Sequence, residues 1–133
     1  MRTRVRHRWT ITRDLSALRG DISRYAVDAG LTGRRLDDLL LAAHEAAVNV
    51  LRHAGGEGTV TVWHDDVYVT VDVTDRCGLL SMRDARRERP DGNASGGLGL
   101  WLMRELCDEF TIEQRAGGSR VRLRMLLATG ALP

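Results

Sequence analysis

Two runs of alternating residues, TVTVWH at 59–64 and VYVTVDVT at 67–74, stand on either side of Asp65-Asp66. A period of two places apolar side chains on one face of a strand and polar ones on the other, and two such runs around a short acidic turn make an antiparallel hairpin. The apolar face of that hairpin needs a cover, and helical patterns elsewhere in the chain supply it. From Asp14 to Ala29, Leu15, Leu18, Ile22, Tyr25, Ala26 and Ala29 recur at three- and four-residue spacing, and Gly30 stops the pattern. Thr32 can cap a second helix that runs to about His53, striped by Leu36, Leu39, Leu40, Ala43, Ala47 and Val50. A third helical pattern spans LGLWLMRELCDEF at 98–110. TIEQRA, a Gly117-Gly118 turn and SRVRLRMLL then close as another antiparallel pair, and RVRHRWTI at 4–11 alternates as a half-exposed strand.

The resulting order, β-α-α-β-β-loop-α-β-β, excludes a Rossmann alternation, because most neighbouring strands pair as hairpins. It predicts an α/β (α+β) two-layer sandwich, a mixed, mostly antiparallel sheet covered on one face by three helices. The 133 residues contain no repeat or linker, so a single domain over 1–133 is expected. With 43% hydrophobic and 29% charged residues, and no apolar run of about 18 residues, the chain reads as a soluble globular protein without a membrane span. Its basic first residues lack the apolar core of a secretory signal, which predicts a cytoplasmic protein.

A net charge of +2 is too small to argue for direct nucleic-acid binding, although R83-D-A-R-R-E-R89 concentrates four arginines. Alternating arginines on a strand and a loop of mixed charge offer no helix for a major groove. All basic residues are arginine, which excludes a lysine nucleophile or a Walker-type phosphate lysine. Cys77 and Cys107 have neither CxxC spacing nor the number for a disulfide framework or a zinc site.

Three features carry possible chemistry. Glu45, Asn49 and His53 follow one another by four residues, about 40° apart around a helix, and so form a narrow polar strip beside small alanines. A carboxylate, an amide and an imidazole there can coordinate a cation and orient a nucleophile; an ordinary solvated face has the same pattern. Gly96, Gly97 and Gly99 open a helix after a long aperiodic stretch, where backbone N–H groups and the helix dipole favour an anion. Asp75 ends a strand ahead of Gly78, where a carboxylate can accept from the amino group of a base or simply start a turn.

Taken together and in this order, E45-A-A-V-N49-V-L-R-H53-A, V71-D-V-T-D75 and G96-G-L-G-L-W-L-M-R-E-L-C-D-E-F110 resemble the N box and the two glycine boxes of the GHKL ATPase superfamily. Within it the chain is most similar to the anti-sigma factor serine/threonine kinases, and G117-G-S119-R-V-R-L-R124 resembles their closing strand. The resemblance implies a Bergerat fold, ATP with Mg²⁺, and a protein kinase. Glu45 would be the general base, and Asn49 would ligate Mg²⁺ through its carbonyl oxygen. Asp75 would read adenine, with Gly78 in the same box and Ser119 adding a hydroxyl near the base. Gly96, Gly97, Leu98, Gly99 and Leu100 would hold the phosphates through backbone amides. Arg52 and His53 would flank the pocket, and about 76–95 would form the ATP lid.

The implied partners are a sigma factor and an anti-anti-sigma antagonist that receives the phosphoryl group, and the implied assembly is a homodimer. A nucleotide-binding interaction module without turnover is the alternative. It takes its support from D75-R-C77-G78-L79, where cysteine and leucine stand in place of the family's glycines, and from N93-A-S95, which has no arginine just before the second glycine box.

Overall fold

The computed structural model describes residues 6–53, 57–76 and 97–127. Its elements follow the expected order: β1 (His7–Thr10), α1 (Leu15–Ala29), α2 (Gly33–His53), β2 (Gly58–His64), β3 (Tyr68–Asp75), α3 (Gly97–Leu106), β4 (Glu109–Arg115) and β5 (Gly118–Leu126). The five strands form one sheet in the order β1-β2-β3-β5-β4, and each of the four pairings is antiparallel. This is the expected sandwich.

Local chemistry sets the ends of α1. The Asp14 carboxylate accepts from the Ala17 amide at 3.0 Å, which satisfies one of the free N–H groups of the first turn. At the other end Gly30 adopts the left-handed conformation, φ 109°, and donates back to the Ala26 and Val27 carbonyls. The chain then turns sharply enough for α2 to run back across the sheet.

Register sorts the side chains into two layers. Rows such as Trp9–Val60–Val73–Val121–Ile112 and His7–Val62–Val71–Leu123–Phe110 point toward the helices. They pack on Leu18, Ile22 and Ala26 of α1, on Leu39 and Val50 of α2, and on Leu100 and Met103 of α3. Ala42, Ala43, Ala46 and Ala47 are fully buried, and their small side chains let α2 lie close to its neighbours.

The other face is polar, in rows Thr10–Thr59–Thr74–Arg120–Glu113, Arg8–Thr61–Asp72–Arg122–Thr111 and Trp63–Thr70–Arg124–Glu109. Arg122 donates to both oxygens of the buried Asp72, at 2.7 and 2.9 Å. The guanidiniums of Arg6, Arg122 and Arg124 lie 4.9, 5.5 and 5.8 Å from the Trp63 ring centre and roof it over.

The third helix is shorter than its sequence pattern predicts. It ends at Leu106, and the strand expected from Thr111 starts at Glu109. Asp108 explains the stop: its carboxylate accepts from the Leu126 amide at 2.7 Å and pairs with Arg35, whose Nε donates to the Leu126 carbonyl at 3.0 Å. That tertiary anchor overrides the helical periodicity of the segment, and pairing along β5 takes Glu109 and Phe110 into a strand.

Cys107 is a free thiol. Burial, with Asp108 and Asp38 nearby, pushes it up to about 12, so it stays protonated and inert.

The Asp65-Asp66 hairpin carries a testable pH dependence. Burial raises the Asp65 carboxyl, but the Tyr68 and Val67 amides, which donate to it at 2.8 Å, and the charges of Arg124 and His64 hold it below the usual carboxylate range. A lowered folded-state value means stability that is present above the unfolded value of about 3.9 and is lost as pH falls through the folded one. Asp65→Asn is expected to destabilise the protein at pH 7, with the gap to wild type narrowing below about pH 4. Urea unfolding midpoints across that range check this; a gap independent of pH contradicts it.

Candidate functional site

The polar strip of α2 does not face bulk solvent. Asn49 is buried, 4% exposed, and Glu45 is half-buried, one turn before it. Both lie against the first turns of α3: a Cβ placed on Gly99 would sit 3.2 Å from Glu45 Oε1 and 3.7 and 3.8 Å from the two amide atoms of Asn49. The bare backbone of Gly99 thus makes room at the Glu45 carboxylate. The Asn49 Nδ2 is buried with no hydrogen-bond partner among the described residues, and a buried amide without a partner costs about 1–3 kcal/mol. A group bound between α2 and α3 would relieve that cost.

Asp75 occupies the end of β3 on the helix-facing side, in register with the buried Ser119 of β5. The Ser119 hydroxyl donates to Asp75 Oδ2 at 2.5 Å and helps to fix the carboxylate. Gly118 makes this possible, because a Cβ there would lie 2.0 Å from the Asp75 carbonyl oxygen. Reading the sequence assigned Gly118 only to a turn; the close approach of two strands behind it is a tertiary fact.

The structure brings Glu45, Asn49 and Gly99 together and joins Asp75 to Ser119. Gly97 and Leu98 begin α3, whose first-turn N–H groups and positive dipole end are directed beside the α2 strip. The side chain of Leu100 is in the core, 3% exposed, so its backbone alone is available to a ligand. Arg52 is exposed in the last turn of α2, and His53 closes that helix. Gly78, Gly96, Cys77, Leu79 and all of the expected lid except Arg76 lie outside the described residues. Arg76 forms a surface pair with Glu57 at 3.6 Å.

A cavity of about 450 Å³ lies beside Asp75, but Thr10, Thr59 and Thr74 line it from the open side of the sheet. It is separate from the space between α2 and α3.

An antiparallel sheet under three helices, with a Glu/Asn strip facing a glycine-led helix and an aspartate at a strand end, defines a nucleotide-binding ATPase architecture. The chain belongs to the histidine kinase-like ATPase domain family, whose model matches residues 10–125. Among curated proteins it is similar to the serine-protein kinase RsbW of Bacillus pumilus (strain SAFR-032), at 28% identity over 117 residues covering 75% of this chain and 71% of the relative. No helix of the described residues is long and apolar enough to cross a membrane.

Gly118→Ala is expected to destabilise the protein by about 1–3 kcal/mol, because backbone must move to admit the methyl group. It is also expected to weaken adenine-nucleotide binding through the displaced Asp75–Ser119 pair. Thermal unfolding and ATP titration of the same variant check both; an unchanged unfolding temperature contradicts the first.

Proposed function

We propose that this protein is an ATP- and Mg²⁺-dependent serine/threonine protein kinase of the anti-sigma factor type. It phosphorylates a serine of an anti-anti-sigma antagonist and, in its other partner state, sequesters a sigma factor. The observation that carries the reading is the pair Glu45 and Asn49, held against Gly99 with the Asn49 Nδ2 donor left without an acceptor among the described residues, a need that a phosphate oxygen meets. The similarity to a serine-protein kinase supports the same activity.

The donor set suits the metal, since an amide carbonyl oxygen is the hard ligand that Mg²⁺ takes when it keeps several waters and binds phosphates. Asn49 would hold it through Oδ1, and the ion would supply neutralisation of charge on the phosphate oxygens. Asp75, oriented by Ser119, accepts from the adenine amino group. The amides of Gly96, Gly97, Leu98, Gly99 and Leu100 cradle the phosphates at the α3 N-terminus. Glu45 accepts the proton of the attacking serine hydroxyl as the phosphoryl group moves to that oxygen, which leaves ADP. Arg52, His53 and Gly78 complete the surround, and about 76–95 forms the lid. The chain functions as one domain over 1–133, in the cytoplasm and as a homodimer, in the regulation of transcription.

A second reading, ATP binding without turnover, draws on Cys77 and Leu79, which stand where the family has glycine, the residue that leaves a backbone approach open. Two variants separate the readings. Asn49→Ala is expected to weaken Mg²⁺-ATP binding at least about tenfold in a calorimetric titration. Glu45→Gln is expected to keep ATP and lose about 10²- to 10⁴-fold in transfer of labelled γ-phosphate to the antagonist. Label that stays on ATP with wild-type protein and every antagonist tested selects the second reading. Unchanged ATP affinity in Asn49→Ala refutes the metal placement.

A further inference from the structure

The open face of the sheet carries Arg6, Arg8, Arg115, Arg120, Arg122 and Arg124 against Asp72, Glu109 and Glu113, a surplus of positive charge. The β5 ladder is matched within the fold: Arg120 donates to Glu113 at 2.6 Å, Arg122 to Asp72, and Arg124 to Glu109 at 3.3 Å. At the opposite edge Arg6 and Arg8 are exposed, and neither has a carboxylate partner among the described residues. That edge is β1, which pairs with β2 alone, so the outer side of its backbone meets no other strand of the described residues.

We propose that the β1 edge is a docking site for an extended acidic polypeptide segment, which adds a strand outside β1 and sets alternate carboxylates beside Arg6 and Arg8. The charge surplus on this edge is complementary to such a segment and repels a basic one. Its free backbone N–H and C=O groups are matched by another extended polypeptide, whose own groups alternate at the same spacing. Trp63 lies under three guanidiniums and the Arg124 guanidinium lies 4.3 Å from the Tyr68 ring centre, so the rings of this face are already engaged by arginines rather than offered to bases as single-stranded nucleic acids require. A second copy laid on the same face would bring two positive surpluses together. Helix α2, which holds Glu45 and Asn49, lies on the other face with α1 and α3, so this docking leaves the α2–α3 site open and stands or falls separately from the kinase reading.

The test uses the full chain and a fluorescent peptide of alternating Glu and Thr, with an alternating Lys and Thr peptide and a single-stranded oligonucleotide as comparisons. The acidic peptide is expected to bind saturably and less tightly as salt rises. It is expected to slow amide hydrogen exchange at His7–Thr10, and to bind about tenfold more weakly to Arg6→Glu/Arg8→Glu. Arg6 also lies over Trp63, so thermal unfolding of each variant is measured alongside, Arg8→Glu alone is expected to weaken binding without moving the unfolding temperature, and Arg6→Gln/Arg8→Gln should give an intermediate loss. No binding of the acidic peptide, equal affinity in the charge-reversed variant, or binding without protection at His7–Thr10 overturns the proposal. So does tighter binding of the oligonucleotide through the same arginines, or a wild-type dimer that the charge reversal dissociates.

Discussion

The approach of α2 to the sheet and to α3 governs everything else in this molecule. Ala42, Ala43, Ala46 and Ala47 present side chains too small to hold the layers apart, and all four are buried. Larger residues there would raise α2 and carry Glu45 and Asn49 away from α3. Because they are small, Glu45 Oε1 lies 3.2 Å from the position of an absent Gly99 side chain, and Asn49 sinks almost out of solvent while one amide atom remains without a partner. Burying a polar atom in that way is unfavourable for an empty protein and useful for one that binds a polar ligand there.

The same sheet solves two different problems on its two faces. The helix side is a valine and leucine layer whose burial drives folding. Among the described residues the other side has no covering layer, and Asp72 and Trp63 are nonetheless buried on it, because arginine side chains lie down across them. Long arginine stems can cover apolar surface while their charged ends pair with carboxylates or water. The alternation of threonine and arginine on these strands is thus the record of a polar layer that the protein builds from its own side chains.

Legibility in the sequence followed the strength of local periodicity. The hairpin around Asp65-Asp66 and the helices before it announced themselves through alternation and three-to-four spacing, and their boundaries lie within a few residues of the structure. The third helix misled at its end, because CDEF continues a helical pattern while Asp108 is held by Arg35 and the Leu126 amide, partners distant in sequence. Glu45 and Asn49 were visible as polar residues on an apolar helix, and Asp75 as a carboxylate at a strand end. Gly118 was read as turn material, since nothing local distinguishes a glycine that starts a turn from one that admits a neighbouring strand's carbonyl at 2.0 Å from its missing side chain.

Sequence alone therefore determined the type and order of the elements, which faces would be apolar, and which polar residues sat where apolar ones belonged, because each of these depends on spacing within a few residues. Tertiary structure alone decided that Glu45 faces Gly99, that Ser119 holds Asp75, and where α3 yields to β4. Those outcomes rest on contacts between segments 18 to 91 residues apart, whose distances no local pattern encodes.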